Sequence, residues 1–207
     1  MSKFQLDLNQ EQILSKYLDN LYKEKNINFQ RVFDLDKQYQ GIDVIMLVKS
    51  NEYYIDEKAQ LHYINKDLPT FTFELSYFKN NNYKKGWLFD ENKLTQYYFL
   101  ITGIFLKKGK IELISPNDIE RLKITSVSRK KLIEYLSFRD LDEKRLLEYD
   151  IKLRKDKAYG KNNISELNPK TEGLIYFTDH LSEKPINLQL RLNFLIETKV
   201  AKKFYYV

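Results

Sequence analysis

Gly41-Ile42-Asp43-Val44-Ile45-Met46-Leu47-Val48, then Lys49-Ser50-Asn51-Glu52, then Tyr53-Tyr54-Ile55-Asp56-Glu57-Lys58-Ala59-Gln60 is the stretch that decides how this chain is read. Ile42 to Val48 is an apolar, β-branched run, and Tyr53 to Ala59 is a second strand candidate. The polar residues between them are a turn signal, so 41–60 is predicted to be a β-hairpin. Strand side chains alternate between faces. Asp43, Ile45 and Leu47 therefore share one face of the first strand; Tyr54, Asp56, Lys58 and Gln60 share one face of the second. A turn centred on Ser50 and Asn51 sets Lys58 across from Asp43, and Asp56 across from Ile45. Cross-strand partners point the same way. The expected cluster is Asp43, Asp56, Lys58 and Gln60, with Glu57 turned to the other face. A slip of one residue would undo it.

Two carboxylates held together in an apolar hairpin repel each other, and each is costly to take out of water. A divalent cation removes both difficulties, because hard cations take carboxylate oxygens. Such an ion polarises water and a phosphate oxygen. A lysine beside it orients the attacking water or neutralises charge developing on phosphorus. Metal, carboxylates and lysine together suit phosphodiester hydrolysis better than acyl or glycosyl transfer.

Upstream of the hairpin, residues 9–24 are predicted to be a helix, with Leu14, Tyr17, Leu18 and Leu21 on one face and Glu11 one turn before them. Residues 29–33 are a short strand candidate. Downstream, 71–78, 86–90, 97–105 and 110–115 are predicted strands, and 117–122, 128–136 and 140–155 predicted helices. Residues 159–171 read as a loop, 173–178 as a late strand, and 187–203 as a final helix with Leu188, Leu192, Leu195 and Ile196 facing inward. The expectation is an α/β protein with one mixed central sheet flanked by helices, a single domain over 1–207. Within it, 1–115 would be a catalytic core and 116–207 a basic helical extension.

Asp43 followed by Asp56-Glu57-Lys58 resembles the core of the PD-(D/E)xK nuclease superfamily, with its restriction-endonuclease-like fold. Gln60, two after Lys58, resembles members that read acidic-x-Lys-x-Gln, and Glu11 resembles an additional acidic ligand on the first helix of some members. Ile42 departs from the motif, which has Pro there. The resemblance covers residues 9–106. It implies a Mg²⁺-dependent nuclease, with Mn²⁺ as a substitute, acting on DNA. Asp43, Asp56, Lys58 and Gln60 would be catalytic; Asp43, Asp56, Glu57 (through its carbonyl) and Glu11 would be around the metal. The alternative is a non-catalytic nucleic-acid-binding or assembly protein on the same fold. A homodimer is implied if both strands of a two-fold symmetric duplex are cut.

Composition narrows the chemistry. The 207 residues include no cysteine and only two histidines, which excludes disulfides, thiolate catalysis, and cysteine-based or two-histidine zinc sites. A metal would have to sit on oxygen ligands. The longest apolar run, Tyr97 to Leu106, is too short to span a bilayer. The polar, mixed-charge first residues and the missing cysteine lead to the expectation of a cytoplasmic protein with no membrane partner. The net charge of +6 is unevenly placed: residues 1–106 carry 13 basic and 14 acidic side chains, and residues 107–207 carry 22 and 15. A basic half suits a polyanion partner. Candidate nucleic-acid contacts are Lys84 and Lys85 beside Trp87, the Arg129-Lys130-Lys131 cluster, and Arg154-Lys155 with Lys157. The bland reading of each is a solvated face, and Trp87 is expected to pack in the core.

Overall fold

The computed structural model describes residues 3–80 and 82–206, with side chains from Leu8 onward. Its elements in chain order are α1 (Lys3–Glu24), β1 (Phe29–Arg31), α2 (Leu35–Tyr39), β2 (Val44–Val48), β3 (Asn51–Ala59), a 3₁₀ turn (Leu61–Tyr63), β4 (Thr70–Lys79), β5 (Asn82–Lys85) and β6 (Tyr97–Leu106). A second 3₁₀ turn (Pro116–Asp118) follows, then β7 (Ile119–Ser128), α3 (Arg129–Phe138), α4 (Glu143–Asp156), β8 (Gly160–Asn162), β9 (Gly173–Phe177), β10 (Ile186–Arg191), α5 (Leu192–Glu197) and β11 (Ala201–Tyr206). The protein is mixed α/β, with two sheets rather than the single central sheet expected.

The chain forms two compact units that interleave along the sequence. The first comprises Met1–Leu68, Leu94–Val127 and Lys202–Val207. Its six-stranded sheet has the order β1-β2-β3-β6-β7-β11. β1, β2 and β3 are an antiparallel meander, and β6 returns parallel to β3. One face is covered by α1. Ile13, Leu14, Leu18, Leu21 and Tyr22 recur at helical spacing and pack on Val44, Met46, Ile55, Phe99, Ile101, Leu122 and Ile124. Each such aliphatic side chain contributes about 1.5–3 kcal/mol on burial. Along β6 the residues facing α1 change from Phe99 and Ile101 to Ile104 and Leu106 across Gly103. Gly103 has φ +54, and a Cβ there would lie 3.0 Å from an Asp67 carboxylate oxygen. Glycine resets the alternation without strain.

The second unit comprises Pro69–Lys93 and Ser128–Ala201. Its antiparallel sheet has the order β5-β4-β10-β9-β8. Four of the expected elements differ from those observed. Residues 187–203 are not one helix: Ile186, Leu188 and Leu190 are buried while Asn187, Gln189 and Arg191 are not, a period of two that makes β10. The expected helix at 117–122 is a 3₁₀ turn, closed by a Ser115/Asp118 capping box, that opens into β7. Residues 110–115 are loop, and the strand expected at 86–90 lies earlier, at Asn82–Lys85. The boundary expected at residue 115 also differs from the observed division, because β7 and β11 complete the first sheet.

Candidate functional site

The hairpin forms, with its register displaced from the expected one. Val44 pairs with Ile55, Ile45 with Tyr54 and Val48 with Asn51. The turn is therefore Lys49-Ser50, where Lys49 takes the left-handed conformation at φ 57. The displacement is two residues, an even number, so the faces keep their assignments. The partners do change. Asp43 stands just before β2, where the pairing becomes irregular: its N–H reaches the carbonyl of Ile55, the partner of Val44, and its carboxyl feels the charges of both Asp56 and Lys58.

The short helix α2 aims Asp43. Asp34 caps its start by accepting from the Lys37 N–H. At its end the Gly41 N–H donates to the Gln38 carbonyl and the Ile42 N–H to the Lys37 carbonyl. Gly41 holds φ 75. This is a Schellman closure with glycine at the left-handed position. It turns the chain into β2 with Asp43 at the strand entrance. A segment at the start of β6 clamps the junction: Leu94 N–H donates to the Gln40 carbonyl, and the buried Thr95 hydroxyl donates to the Gly41 carbonyl at 2.8 Å. Gln96 exchanges hydrogen bonds with the Tyr54 backbone. This clamp is absent from the sequence-based expectations, because no local pattern announces which carbonyl a loop hydroxyl will meet.

The Asp43 N–H donates to the Ile55 carbonyl, and one carboxylate oxygen accepts from the Glu57 N–H at 2.8 Å. Asp56 is buried, its side chain 3% exposed, and Lys58 Nζ lies 2.7 Å from its Oδ1. Lys58 is itself 32% exposed, so the ion pair has one buried end and one open end. Burial, then the charge of Asp56, push the Asp43 carboxyl up to about 7, against the pull of Lys58 and of the Glu57 N–H. Gln60 is half-buried at the end of the same run, its backbone N–H donating to the Ile101 carbonyl.

Glu57 points to the helix side, as its parity requires. Its carboxylate accepts from Tyr22 Oη at 2.7 Å and from the Arg31 guanidinium, which also binds Asp19 at 2.6 Å. The Glu57 side chain is thus committed to holding α1 and β1 to β3; a strand carbonyl lies in the plane of the sheet, on neither face. Glu11 is a correction to the expected ligand set. It is exposed on α1, which packs on the opposite face. It also lies eleven residues, about 16 Å along the helix, from the Tyr22 turn that reaches β3.

Of the expected nucleic-acid contacts, Arg129, Lys85 and Arg154 are engaged within the protein, while Lys84, Lys130 and Lys131 are exposed. Arg129 donates to the carbonyls of Leu88, Asp90 and Lys93 and so braces that loop. Lys85 pairs with Glu143 at 2.7 Å. Lys130 is exposed beside Glu134, and Lys84 and Lys131 are exposed. Arg154 is bound to Asp150 and Ser76 Oγ and lies over the Phe78 and Phe177 rings, a structural role. Trp87 packs on Phe73.

Among the described residues no three His, Cys, Asp or Glu side chains gather into a metal-binding group. The donors that Asp43 and Asp56 offer are hard oxygens, the kind Mg²⁺ and Mn²⁺ take, and Mg²⁺ is commonly held by one or two carboxylates with water completing its shell. The donor set therefore fits such an ion. No helix among the described residues is long and apolar enough to cross a membrane. Comparison of the chain with protein-family models, with curated proteins and with solved structures finds no match.

Proposed function

We propose that this protein is a metal-dependent nuclease that hydrolyses phosphodiester bonds in DNA, with a restriction-endonuclease-like arrangement in its first unit. One observation carries the reading: the buried Asp43 carboxyl lies within reach of the charges of both Asp56 and Lys58, and burial first, then the charge of Asp56, raises it despite the Lys58 ammonium. The charged form of a carboxylate buried beside a second one is costly, and a bound dication would offset that cost.

Asp43 and Asp56 would hold Mg²⁺ or Mn²⁺, which supplies a Lewis acid for a phosphate oxygen and for water. The Schellman turn and the Thr95 clamp fix Asp43 before any ligand arrives. Lys58, hinged between buried Asp56 and the open side, exchanges its carboxylate partner for a phosphate oxygen and steadies the negative charge that grows there. Gln60, further along the strand, orients the attacking water. Hydrolysis forms one P–O bond to water and breaks one to the sugar; the water loses a proton and the leaving oxygen gains one.

A second reading has its own support. One Asp43 oxygen is satisfied by the Glu57 N–H and Asp56 is closed on Lys58, as in a non-catalytic nucleic-acid-binding protein that uses these groups to tie its strands. The two separate in one experiment: duplex, single-stranded and branched DNA incubated with Mg²⁺ or Mn²⁺. Cleavage by the wild type that falls by about 10²-fold or more in Lys58→Ala fits the nuclease; no cleavage of any substrate leaves the binding protein.

A further inference from the structure

The face of the six-stranded sheet that carries Asp43, Asp56 and Lys58 does not end at β3. Leu100 pairs with Lys58, and β6 continues for six residues beyond it. Since Ile104 and Leu106 face α1, Phe105 faces the other way. Leu122 and Ile124 on β7 likewise face α1, which turns Lys123 and Thr125 to the Phe105 side. The exposed Arg121 guanidinium lies over the Phe105 ring, 4.3 Å from its centroid. The Tyr206 ring, joined to Thr125 by a 2.6 Å hydrogen bond, has the ammonium groups of Lys123 and Lys203 at 5.8 and 5.2 Å from its centroid. The β6–β7 loop adds exposed Lys107 and Lys108; exposed Lys202, next to Lys203 on β11, has the parity of Phe204 and so belongs to the other face. Lys123 is paired with Asp67, and Lys110 with Asp118. Among the described residues Lys107, Lys108, Arg121 and Lys203 make no ion pair with a carboxylate.

We propose that this strip, from Phe105–Arg121 across Tyr206–Lys203, is a surface that binds the sugar–phosphate backbone of duplex DNA. Charge complementarity selects the occupant: a row of unneutralised cations matches a polyanion. The rings serve the cations rather than the bases, since the Arg121 guanidinium covers Phe105. Such contacts carry affinity and register but no sequence preference. At about 3.3 Å per residue, Phe105 lies about 16 Å along the sheet from the position beside Lys58; Leu100 and Thr102 between them are buried, so a duplex on the strip would reach the hairpin across covered sheet. The assignment deepens the nuclease reading, on which it rests, by placing its substrate.

The test is fluorescence anisotropy with a labelled duplex of about 30 base pairs in EDTA, so that no metal takes part. Arg121→Glu with Lys203→Glu should weaken binding by about 10-fold or more and reduce the slope of log K against log salt by about 2. The Gln counterparts, Arg121→Gln with Lys203→Gln, should give a smaller loss at unchanged melting temperature. Unaltered affinity in folded variants, or binding of the wild type to anionic phosphatidylserine vesicles in place of DNA, overturns the proposal. Wild-type cleavage with Mn²⁺, measured separately, reports on the active site alone: binding without cleavage sinks the nuclease reading and leaves the surface standing.

Discussion

Burial and the charge of Asp56 raise Asp43 toward neutrality, and the consequence is a stability that depends on pH. In an unfolded chain an aspartate ionises near about 3.9. Between there and about 7 the folded protein holds a proton on Asp43 that the unfolded chain has lost. The stabilisation is complete below the unfolded value and is lost as pH rises through the folded one. Without divalent ions, the Tm contribution of this site should fall as pH rises from about 4 to about 7. Mn²⁺ should restore it at the higher pH and do little at the lower, where the proton competes. Calorimetric scans at both pH values with Asp43→Asn as control measure this; a Mn²⁺ effect of equal size in Asp43→Asn would exclude the site. On the opposite face Arg31 joins Asp19 and Glu57, with Arg31 and Glu57 nearly buried. Arg31→Ala should cost about 3–5 kcal/mol, because it strands the Glu57 carboxylate beneath α1; a urea melt gives the value.

Among the elements, α2 is small and buries none of its own residues, yet it orients the strand entrance. Its effect comes from the Gly41 conformation and the two closing hydrogen bonds. Gly41→Ala forces an L side chain to φ 75 and should cost about 1–2 kcal/mol. For a protein of this size that is about 2–8 °C in Tm. The rise in Tm on adding Mn²⁺ should shrink as well, because Asp43 is two residues away. A variant that loses stability but keeps the full Mn²⁺ response would show that α2 does not set the site. The hairpin itself was legible: its apolar strands and polar turn mark it, and an even register shift leaves the faces alone. The cross-strand partners were not legible, because the turn forms at Lys49-Ser50 rather than at Ser50-Asn51, with Lys49 at φ 57, a conformation its residue type does not announce.

At the scale of the whole molecule the interleaving of the two units decides what can be cut away. A fragment ending at residue 115 loses β7 and β11, and with them Leu122, Ile124 and the Phe204 ring that packs on Phe99 at 4.5 Å. Residues 1–115 alone should therefore show no cooperative thermal transition by circular dichroism. A sharp melt from that fragment would mean that β7 and β11 are dispensable to the first sheet, contrary to its strand order.

What the sequence determined by itself is local and periodic. The apolar stripe of α1, the alternation within β2 and β3, and the restriction of any metal to oxygen donors in a chain without cysteine all follow from residue spacing and type. Which strands neighbour one another was decided only in three dimensions: β6 lies beside β3 although a long stretch of chain separates Ala59 from Tyr97, and β11 closes the edge of the first sheet from the far end of the sequence. The fates of the cations were decided there too. Arg129 and Arg154 look in sequence like Arg121, yet the first two are engaged by carbonyls, a carboxylate and aromatic rings, and of the three Arg121 is the one exposed to water. Periodicity reports which side of an element is apolar; the partner that side meets depends on contacts between residues far apart in the chain, which no local pattern encodes.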